Sequence, residues 1–387
     1  MCWPGPQGPT TLGRSMTLLR LIADDLTGAL DTAAQFAAPG QPIPVFMNGR
    51  LPASMPLSFA VDSGTREKDG DAAAAVASRL APLLEPMPGV LSFKKIDSLL
   101  RGSCGAELAA VLGAVPVKYC IIAPAFPFHG RVTRGGRQFE RSEGPWRPSG
   151  EDVLEELKSR GIDAALACAG DAVPEGVSVW DAETDGDLRR IAQAGAALSS
   201  PVLWCGSGGL AAAIAGRRVP VFGAFERPLL GLVGADHAAT AAQLDACADH
   251  LLTLADGGAA SSDRLSAHLE KEGIAIVRFD VARGADRAAA AAHIAREMAD
   301  LTRRIRAPRS LVVTGGETLR ALCASLGVDR LDVAGQVVPG VPVSILRGGR
   351  WDGIALASKS GAFGNRMMLR EILGLGAAPG LGRRTTG

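Results

Sequence analysis

The sequence predicts a two-domain α/β protein in which each domain is a mostly parallel sheet flanked by helices. Short apolar runs rich in Val, Ile and Leu alternate with Ala- and Leu-rich stretches along most of the chain, a pattern typical of βαβ units. At 387 residues the chain exceeds what one hydrophobic core usually serves, which indicates two domains. Polar or glycine-rich residues follow many of the apolar runs, and parallel strands open into a ligand crevice at these carboxyl ends.

The first half of the chain carries six apolar runs that predict strands. They cover residues 18–23, 43–47, 57–61, 90–93, 119–122 and 202–204. Helices are predicted between them, where alanine and leucine dominate, over 31–38, 71–84 and 104–112.

The second half shows the same alternation. Strands are predicted over 230–233, 274–279, 311–313 and 354–357, and helices over 239–252, 286–304 and 317–326. Residues 217–228 separate the two sets, because they carry two prolines, a glycine and no helical period. We therefore expect domains over 16–222 and 228–373, with a flexible tail over 374–387. The extension 1–15 is expected to be disordered or to come from an upstream start codon.

Bulk composition narrows the class of protein. The formal net charge is +1 and aromatic residues make up 4%, with Tyr119 the single tyrosine, so we expect no nucleic-acid or membrane partner. The seven cysteines are scattered without a C-x-x-C pair, which predicts reduced thiols and a cytoplasmic protein. The five histidines are scattered too, so zinc is not expected, and no apolar run approaches the length of a membrane span.

The most informative segment joins the first strand to the first helix. There an apolar run ends in Asp24 and Asp25, and a Thr-Gly turn and an Ala-rich stretch follow. Two adjacent carboxylates repel each other, so they need a metal ion, a basic neighbour or a hydroxyl-rich ligand. The alternative is a helix N-cap beside a solvated acid.

Cations follow the third and fourth strands. Arg66 lies beyond the third strand, where a guanidinium can bind both oxygens of a carboxylate, although a surface loop arginine is the alternative. Lys94 and Lys95 come directly after the fourth strand, and continued strand alternation sends at most one of them into the crevice. Lys95 shares its face with Asp97, so this pair could fix an anion and a hydroxyl together.

Two further loops at strand ends of the first half carry polar or glycine-rich residues, which we call polar tips. Prolines fix an irregular loop at 124–133, closed by Gly130 and Arg131; His129 there could be an acid or base, although a loop histidine more often faces solvent. Glycines at 206–209 expose backbone N–H groups that can hold an anion. Five such tips imply a small, anionic, hydroxylated ligand held by Arg, Lys and Asp.

Two glycine loops in the second half suit the phosphates of a nucleoside triphosphate. Residues 310–319 predict a strand, a double glycine and a helix, whose N–H groups and positive end favour phosphate. Residues 356–364 predict a second strand and a Gly/Ser/Lys loop. Neither stretch matches G-x-x-x-x-G-K-[ST] or G-x-G-x-x-G, and an ordinary turn is the alternative for each.

In combination, the motifs resemble those of the four-carbon acid sugar kinases over residues 16 to about 373. They are IADDLTGA at 22–29, KKIDS at 94–98 followed by Arg101-Gly102, PAFP at 124–127 followed by Gly130-Arg131, TGGET at 314–318 and KSGxFG at 359–364. The resemblance implies an N-terminal domain that binds a sugar acid and a C-terminal domain that binds ATP. It also implies phosphorylation of the terminal hydroxyl of a C4 acid such as threonate, erythronate or 3-oxo-tetronate.

The resemblance further implies roles for individual residues. Implied substrate contacts are Asp24, Arg66, Lys95, Ile96, Asp97, Ser98, Arg101, Gly130 and Arg131. Implied cofactor contacts are Thr314, Gly315, Gly316, Glu317, Thr318, Lys359 and Gly361. Candidate catalytic carboxylates are Asp24, Asp25 and Asp97, with Mg²⁺ bridging the phosphates of ATP, and a homodimer is a family-level expectation.

One stretch departs from the family's pattern. The family usually shows Gly-Ser and then a proline where the C-terminal domain begins, but this chain has Ala235 and Asp236. Ala235 has no hydroxyl, and losing one hydrogen bond to a charged group costs roughly 1.5–3 kcal/mol. A catalytically drifted sugar-acid-binding or sensor paralogue is therefore the alternative to the kinase.

The hypothesis places the active site in the cleft between the domains, so catalysis requires domain closure. Arg66 and Lys95 hold the substrate carboxylate, Asp24, Asp97 and Ser98 order its hydroxyls, and Asp24 or Asp25 orients or deprotonates the attacking hydroxyl. Phosphoryl transfer needs mostly positioning and charge neutralisation. A dehydrogenase is disfavoured by the missing G-x-G-x-x-G, and an aldolase by the lack of a recognisable Schiff-base lysine.

Overall fold

The computed structural model describes residues 18–141, 144–216, 219–281 and 286–375. The predictions for residues 1–15 and for all but the first two residues of the tail lie outside them. No helix in the described ranges combines the length and the apolar character needed to cross a membrane.

The first domain contains eleven strands and six helices among its described residues. The strands are β1 (Leu18–Ala23), β2 (Ile43–Phe46), β3 (Phe59–Asp62), β4 (Val90–Lys95), β5 (Tyr119–Ala123), β6 (Arg131–Arg134), β7 (Arg137–Glu140), β8 (Arg147–Pro148), β9 (Ala164–Cys168), β10 (Gly176–Asp181) and β11 (Val202–Gly206). The helices are α1 (Leu26–Phe36), α2 (Gly70–Leu80), α3 (Cys104–Ala114), α4 (Val153–Ser159), α5 (Asp185–Ala196) and α6 (Gly208–Ala215).

The second domain contains seven strands and five helices in the part that the structure describes. The strands are β12 (Leu229–Val233), β13 (Leu251–Leu254), β14 (Ile274–Phe279), β15 (Ser310–Thr314), β16 (Arg330–Gln336), β17 (Pro342–Arg347) and β18 (Ala355–Lys359). The helices are α7 (Ala238–Ala246), α8 (Ala259–Glu272), α9 (Arg287–Arg304), α10 (Gly316–Leu326) and α11 (Met368–Ile372).

Both domains share one continuous sheet of fifteen strands, in the order β13-β14-β12-β15-β18-β17-β16-β2-β3-β1-β4-β11-β5-β10-β9. Pairing is parallel except around β16 and β17, where β16 runs antiparallel to both β17 and β2, and β17 antiparallel to β18. The prediction of mostly parallel sheets flanked by helices is confirmed. The two sheets are joined edge to edge through β2 and β16, and this covers two edges that would otherwise be open to pairing.

Apolar side chains on the two faces of the sheet pack beneath the helices. On one face a cluster spans both domains and includes Leu21, Trp180, Leu232 and Leu311. On the other face each domain has its own apolar cluster, and the cluster of the first domain includes Phe59. The shared apolar cluster therefore fixes the strands of the two domains relative to each other.

Four predicted elements differ clearly from the observed ones. The helix predicted over 71–84 ends at Leu80 and is followed by a 3₁₀ turn over Ala81–Leu84. Helix α1 begins at Leu26, not at residue 31, because Asp25 caps it. The helix predicted over 239–252 ends at Ala246, and Leu252 and Leu254 instead point inward from β13. The loop predicted at 124–133 passes through a short 3₁₀ turn into the small antiparallel sheet β6-β7-β8.

Candidate active site

The carboxyl ends of β3, β1, β4 and β11 lie side by side. Ala23 pairs with Asp62 of β3 and with Lys95 of β4, so these three strands end level. Gly206 of β11 also pairs with Lys95. The loops that follow these strands therefore meet above one edge of the sheet, where open α/β sheets bind ligands.

Asp24 and Asp25 have different surroundings. The Oδ1 of Asp25 accepts the N–H of Gly28 at 2.9 Å and caps α1. Asp24 is only 5% exposed, and its Oδ1 has no hydrogen-bond partner among the described residues. Buried acceptors are normally satisfied, so this oxygen is free to accept a bond from a ligand. Asp25 is therefore the helix N-cap, and Asp24 is the carboxylate that has an oxygen available for a ligand.

Arg66 joins three carboxylates. Its Nε lies 2.5 Å from Oδ2 of Asp24, its Nη2 3.3 Å from Oδ1 of Asp25, and its Nη1 3.3 Å from Oδ1 of Asp97. Burial alone would lower the pKa of Arg66, but Asp24 and Asp25 outweigh it and raise that pKa above its usual value. Burial alone would raise the pKa of Asp24, and the charge of Arg66 reverses this and keeps the carboxyl ionised. Arg66 is therefore saturated by the protein's own acids.

Asp97 is held from several directions. Nε of Arg101 lies 2.7 Å from its Oδ2 and Nη2 of Arg101 2.9 Å from its Oδ1, and the backbone N–H groups of Leu99 and Arg101 also donate to Oδ2. Burial would raise the pKa of Asp97, but the Arg101 hydrogen bond and the charge of Arg66 hold it well below its usual range. Both oxygens are occupied, which suits a group that positions the loop.

Lys94 and Lys95 point to opposite faces, as strand alternation predicts. Lys94 forms a buried ion pair with Glu107 of α3, at 2.7 Å from Nζ to Oε2. The Nζ of Lys95 donates to the carbonyl of Ile96 at 2.8 Å and lies 3.0 Å from where a Cβ would stand on Gly28. Lys95 is the lysine that enters the crevice, and it makes no ion pair within the described residues.

Arg131 begins β6, after Gly130 has closed the 3₁₀ turn in a left-handed conformation (φ +65°). Its Nη1 donates to Oγ of Ser98. This hydrogen bond brings the loop at 124–133 against the loop that follows β4. Arg131 makes no ion pair with any described carboxylate, and burial lowers the pKa of its guanidinium. Arg131 and Lys95 are thus two cations of this cluster without a direct carboxylate partner among the described residues, although the charge of Asp97 acts on both from a longer distance.

His129 packs among aromatic rings instead of facing solvent. Its ring centroid lies 4.2 Å from that of Phe126 and 5.1 Å from that of Phe363, which belongs to the second domain. Burial lowers the pKa of His129 to about 4, so the ring is neutral at pH 7. This contact favours a packing role over acid–base chemistry.

The glycine loops of the second domain follow the neighbouring strands β15 and β18. Thr314 pairs with Lys359, so both loops start at the same level. Gly315 has φ +105° and precedes α10, which begins at Gly316. Lys359 is buried, and burial lowers its pKa to about 8. Among the described residues its Nζ donates to the carbonyls of Ser360 (2.7 Å) and Phe363 (2.9 Å).

Other predicted nucleotide contacts surround these loops. The hydroxyl of Thr314 is buried and has no hydrogen-bond partner in the described ranges. Thr318 is buried, and the Glu317 side chain is 66% exposed. The Cβ of Ala235 lies 2.6 Å from where a Cβ would stand on Gly361, so position 235 is in contact with this loop. Asp236 is exposed, so its charge can be hydrated.

The two clusters adjoin each other. A Cβ on Gly316 would lie 2.8 Å from Oγ1 of Thr27, the second residue of α1. Arg320, one turn further along α10, forms an ion pair with Asp62 at the end of β3. Sequence reasoning missed Thr27, Arg320 and Phe363 as contacts between the domains. Arg320 could have been found from its spacing, because it lies four residues after Gly316 and thus on the same face of the helix.

Comparison with known proteins gives relatives along nearly the whole chain. The chain is 32% identical to the D-threonate kinase of Cupriavidus necator over 90% of this chain and 95% of that protein. It is 28% identical to the 3-oxo-tetronate kinase of Pseudomonas fluorescens, over 94% and 98% respectively. A solved structure described as a putative tRNA synthase from Salmonella typhimurium LT2 superposes with a TM-score of 0.67 at 19% identity. It covers 92% of this chain and 98% of that one, and at this identity shows the fold alone.

Family models match both halves. A sugar-binding N-terminal domain matches residues 19–156, and a nucleotide-binding C-terminal domain matches residues 230–369. The fold, the residue clusters at the strand ends and the named relatives together indicate that this chain is a two-domain α/β phosphotransferase. The first match covers the acid-rich cluster and the second covers the glycine loops. The chain belongs to the four-carbon acid sugar kinase family.

Proposed function

We propose that this protein transfers the γ-phosphoryl group of ATP to the terminal hydroxyl of a four-carbon sugar acid such as threonate, erythronate or 3-oxo-tetronate. The observation that carries the proposal is the contact between a charged, acid-rich cluster on one domain and glycine loops on the other, at Thr27 and Gly316. A hydroxyl bound by the first cluster would meet a phosphate held by the second. The cytoplasmic location and the homodimer remain predictions.

Arg131 and Lys95 are the proposed anchors of the substrate carboxylate. Arg66 is engaged by Asp24, Asp25 and Asp97, so a substrate anion would have to compete with three carboxylates for it. Arg131 and Lys95 make no ion pair within the described residues, and Arg131 already reaches Ser98. We therefore assign the substrate carboxylate to Arg131 and Lys95, in place of the predicted pair Arg66 and Lys95. Arg66 is assigned to holding the acids in place.

Asp24 is the proposed partner of the attacking hydroxyl. Its Oδ1 is a buried acceptor without a partner among the described residues, while Asp25 is committed to capping α1. The lowered pKa keeps Asp24 ionised, so it accepts a hydrogen bond from the substrate hydroxyl and takes up its proton as the phosphoryl group arrives. Loose phosphoryl-transfer transition states need only a weak base, since the nucleophile is mainly positioned. Asp97, with both oxygens occupied, is assigned to positioning.

The phosphates of ATP are proposed to lie against Gly315, Gly316 and the N-terminus of α10. Backbone N–H groups and the helix dipole favour an anion there. Lys359 supplies a buried positive charge without a carboxylate partner in the described ranges, and the free hydroxyl of Thr314 lies one residue before the glycines. A phosphate would satisfy both groups.

Mg²⁺ fits this site chiefly as a companion of ATP. No group of three or more His, Cys, Asp or Glu side chains that could hold a metal occurs among the described residues. Mg²⁺ typically binds substrate phosphates with one or two carboxylates and keeps several waters. Asp25, whose side chain is 26% exposed, is the proposed protein ligand through the carboxylate oxygen that does not cap α1. Bound there, the ion would neutralise phosphate charge.

ADP release in a coupled assay tests the proposal. Full-length protein is incubated with MgATP and each of D-threonate, L-threonate, D-erythronate, L-erythronate and 3-oxo-tetronate. We expect turnover with at least one acid and its loss in Lys359→Met. Silence with all five acids, from folded protein that still binds one of them, would favour the sensor alternative and would implicate Ala235.

A further inference from the structure

The side chain of Arg320 connects the two domains. It projects from α10, and its Nη1 lies 2.9 Å from Oδ2 of Asp62, at the end of β3 in the first domain. The same Nη1 donates to Oδ1 of Asn48, in the loop after β2. The Arg320 side chain is 22% exposed, so this connection is largely shielded from solvent.

Asp62 depends on this arginine. Its side chain is fully buried, and its remaining bonds in the described ranges come from the backbone N–H groups of Gly64 (2.9 Å) and Asn48 (3.4 Å). Arg320 is its ion-pair partner among the described residues, and it belongs to the other domain. Removal of the guanidinium of Arg320 would leave this carboxylate, buried in the folded chain, without a counter-charge, which is strongly unfavourable.

The loop that follows Asp62 leads directly to the acid cluster. The N–H of Ser63 donates to the carbonyl of Ala23 at 2.8 Å, and the N–H of Arg66 donates to the carbonyl of Asp24 at 3.1 Å. The guanidinium of Arg66 then holds the carboxylates of that cluster. A shift of Asp62 would therefore displace the loop that sets the position of Asp24.

The other end of the connection lies at the glycine loop. α10 begins at Gly316, and Arg320 follows one turn later on the same rigid helix. Gly316 also approaches Thr27, just after the two acids of the first domain. A ligand that fixes the N-terminus of α10 thus fixes the contacts of Gly316 with Thr27 and of Arg320 with Asp62.

We propose that Arg320 is a positioning residue that couples occupancy of the nucleotide loop to affinity for the acid, through its ion pair with Asp62. The coupling rests on the proposed function. A phosphate at Gly315 and Gly316 stabilises the placement of α10 in which Arg320 meets Asp62, and this placement orders the loop up to Arg66. Nucleotide and acid therefore bind more tightly together than singly.

Calorimetric titration tests the coupling. The dissociation constant of D-threonate, or of whichever of the five acids is turned over fastest, is measured with and without Mg²⁺ and a non-hydrolysable ATP analogue. In the unmodified protein we expect the analogue to tighten acid binding at least about fivefold. In Arg320→Met the enhancement falls below twofold, while the affinity for acid alone and for analogue alone changes by less than about twofold.

Two further variants separate coupling from folding. Asp62→Asn removes the charge from the other side and should lose the enhancement to the same degree, with no additional loss in the double variant. Arg303→Met, on the neighbouring α9 with a side chain 62% exposed, is the matched control and should keep it. If Arg320→Met fails to fold, Asp62→Asn carries the test alone, because it removes the ion pair from the side of the first domain.

The coupling is overturned if Arg320→Met and Asp62→Asn keep the enhancement, if the unmodified protein shows none, or if both variants weaken acid binding equally with and without nucleotide. The last result would assign a merely structural role. Turnover without Arg320-dependent enhancement refutes the coupling alone. Absence of turnover with all five acids refutes the proposed function and the coupling with it.

Discussion

Removal of the guanidinium of Arg131 tests the assignment of the substrate carboxylate. Arg131 reaches Ser98 and has no carboxylate partner among the described residues, so its charge is available to a ligand. A hydrogen bond to a charged group contributes roughly 1.5–3 kcal/mol, which corresponds to about 10- to 150-fold in affinity. We expect Arg131→Met to raise the KM of the acid by this factor. With the acid at saturation the KM of ATP should not change, because Arg131 makes no hydrogen bond or ion pair with the described glycine loops of the other domain.

The assay is steady-state ADP release, with the acid and ATP varied separately. Arg134→Met is the matched control, because Arg134 lies on the same strand with a side chain 38% exposed and pairs with Glu183. The unmodified protein should strongly prefer the acid over its uncharged amide, and Arg131→Met should lose most of that preference. An unchanged acid KM, or an equal rise in both KM values, would refute the assignment.

Three further perturbations probe the other groups. Asp24→Asn should lower kcat at least about 100-fold, since it removes the proton acceptor; full turnover in rapid-quench assays would exclude that role. The pKa of Lys359 is lowered to about 8, so its charge is lost as pH rises through that value. The KM of ATP should therefore rise between pH 7 and 9, and should stay flat in Lys359→Arg. Lys94→Met leaves Glu107 buried without its cation and should lower the free energy of unfolding by about 3–5 kcal/mol in urea melts, whereas the double replacement Lys94→Met/Glu107→Leu should recover most of the loss.

Local pattern predicted those parts of the fold whose signal is local. The run at β14 gave its bounds, Ile274–Phe279, because five of its six residues are buried and apolar residues dominate it. The N-cap at Asp25, which the sequence offered only as the alternative for the acid pair, is equally local because its side chain satisfies an N–H three residues away, although the helix itself was predicted to begin at residue 31. Both interactions lie within one element and its neighbour in sequence.

The junction of the two sheets could not be predicted in this way. It depends on pairing between β2 and β16, which are about 290 residues apart in sequence, and no local signal selects that partner. β16 also alternates apolar residues with Arg330 and Asp332, and its pairing shifts between Val333 and Gly335. Such a mixed, irregular run resembles a loop when it is read from sequence alone.

The candidate site shows the same division. Its residue types follow from strand-end motifs, but which cation is free depends on distant pairing. Arg66 and Arg131 are both arginines at strand-end tips, yet three carboxylates surround the first and Ser98 contacts the second. The ion pair of Arg320 with Asp62 joins residues 258 apart in sequence, and only the folded chain reveals it.

Identification of the phosphorylated atom tests the central claim most directly. The product of the best acid and MgATP is examined by ³¹P NMR without proton decoupling. Transfer to the terminal hydroxyl places phosphorus next to a CH₂ group, and we predict a phosphomonoester triplet. A doublet, from phosphorylation of a secondary hydroxyl, would contradict the proposed orientation of the acid between Arg131 and Asp24. Release of inorganic phosphate alone would contradict the transfer itself.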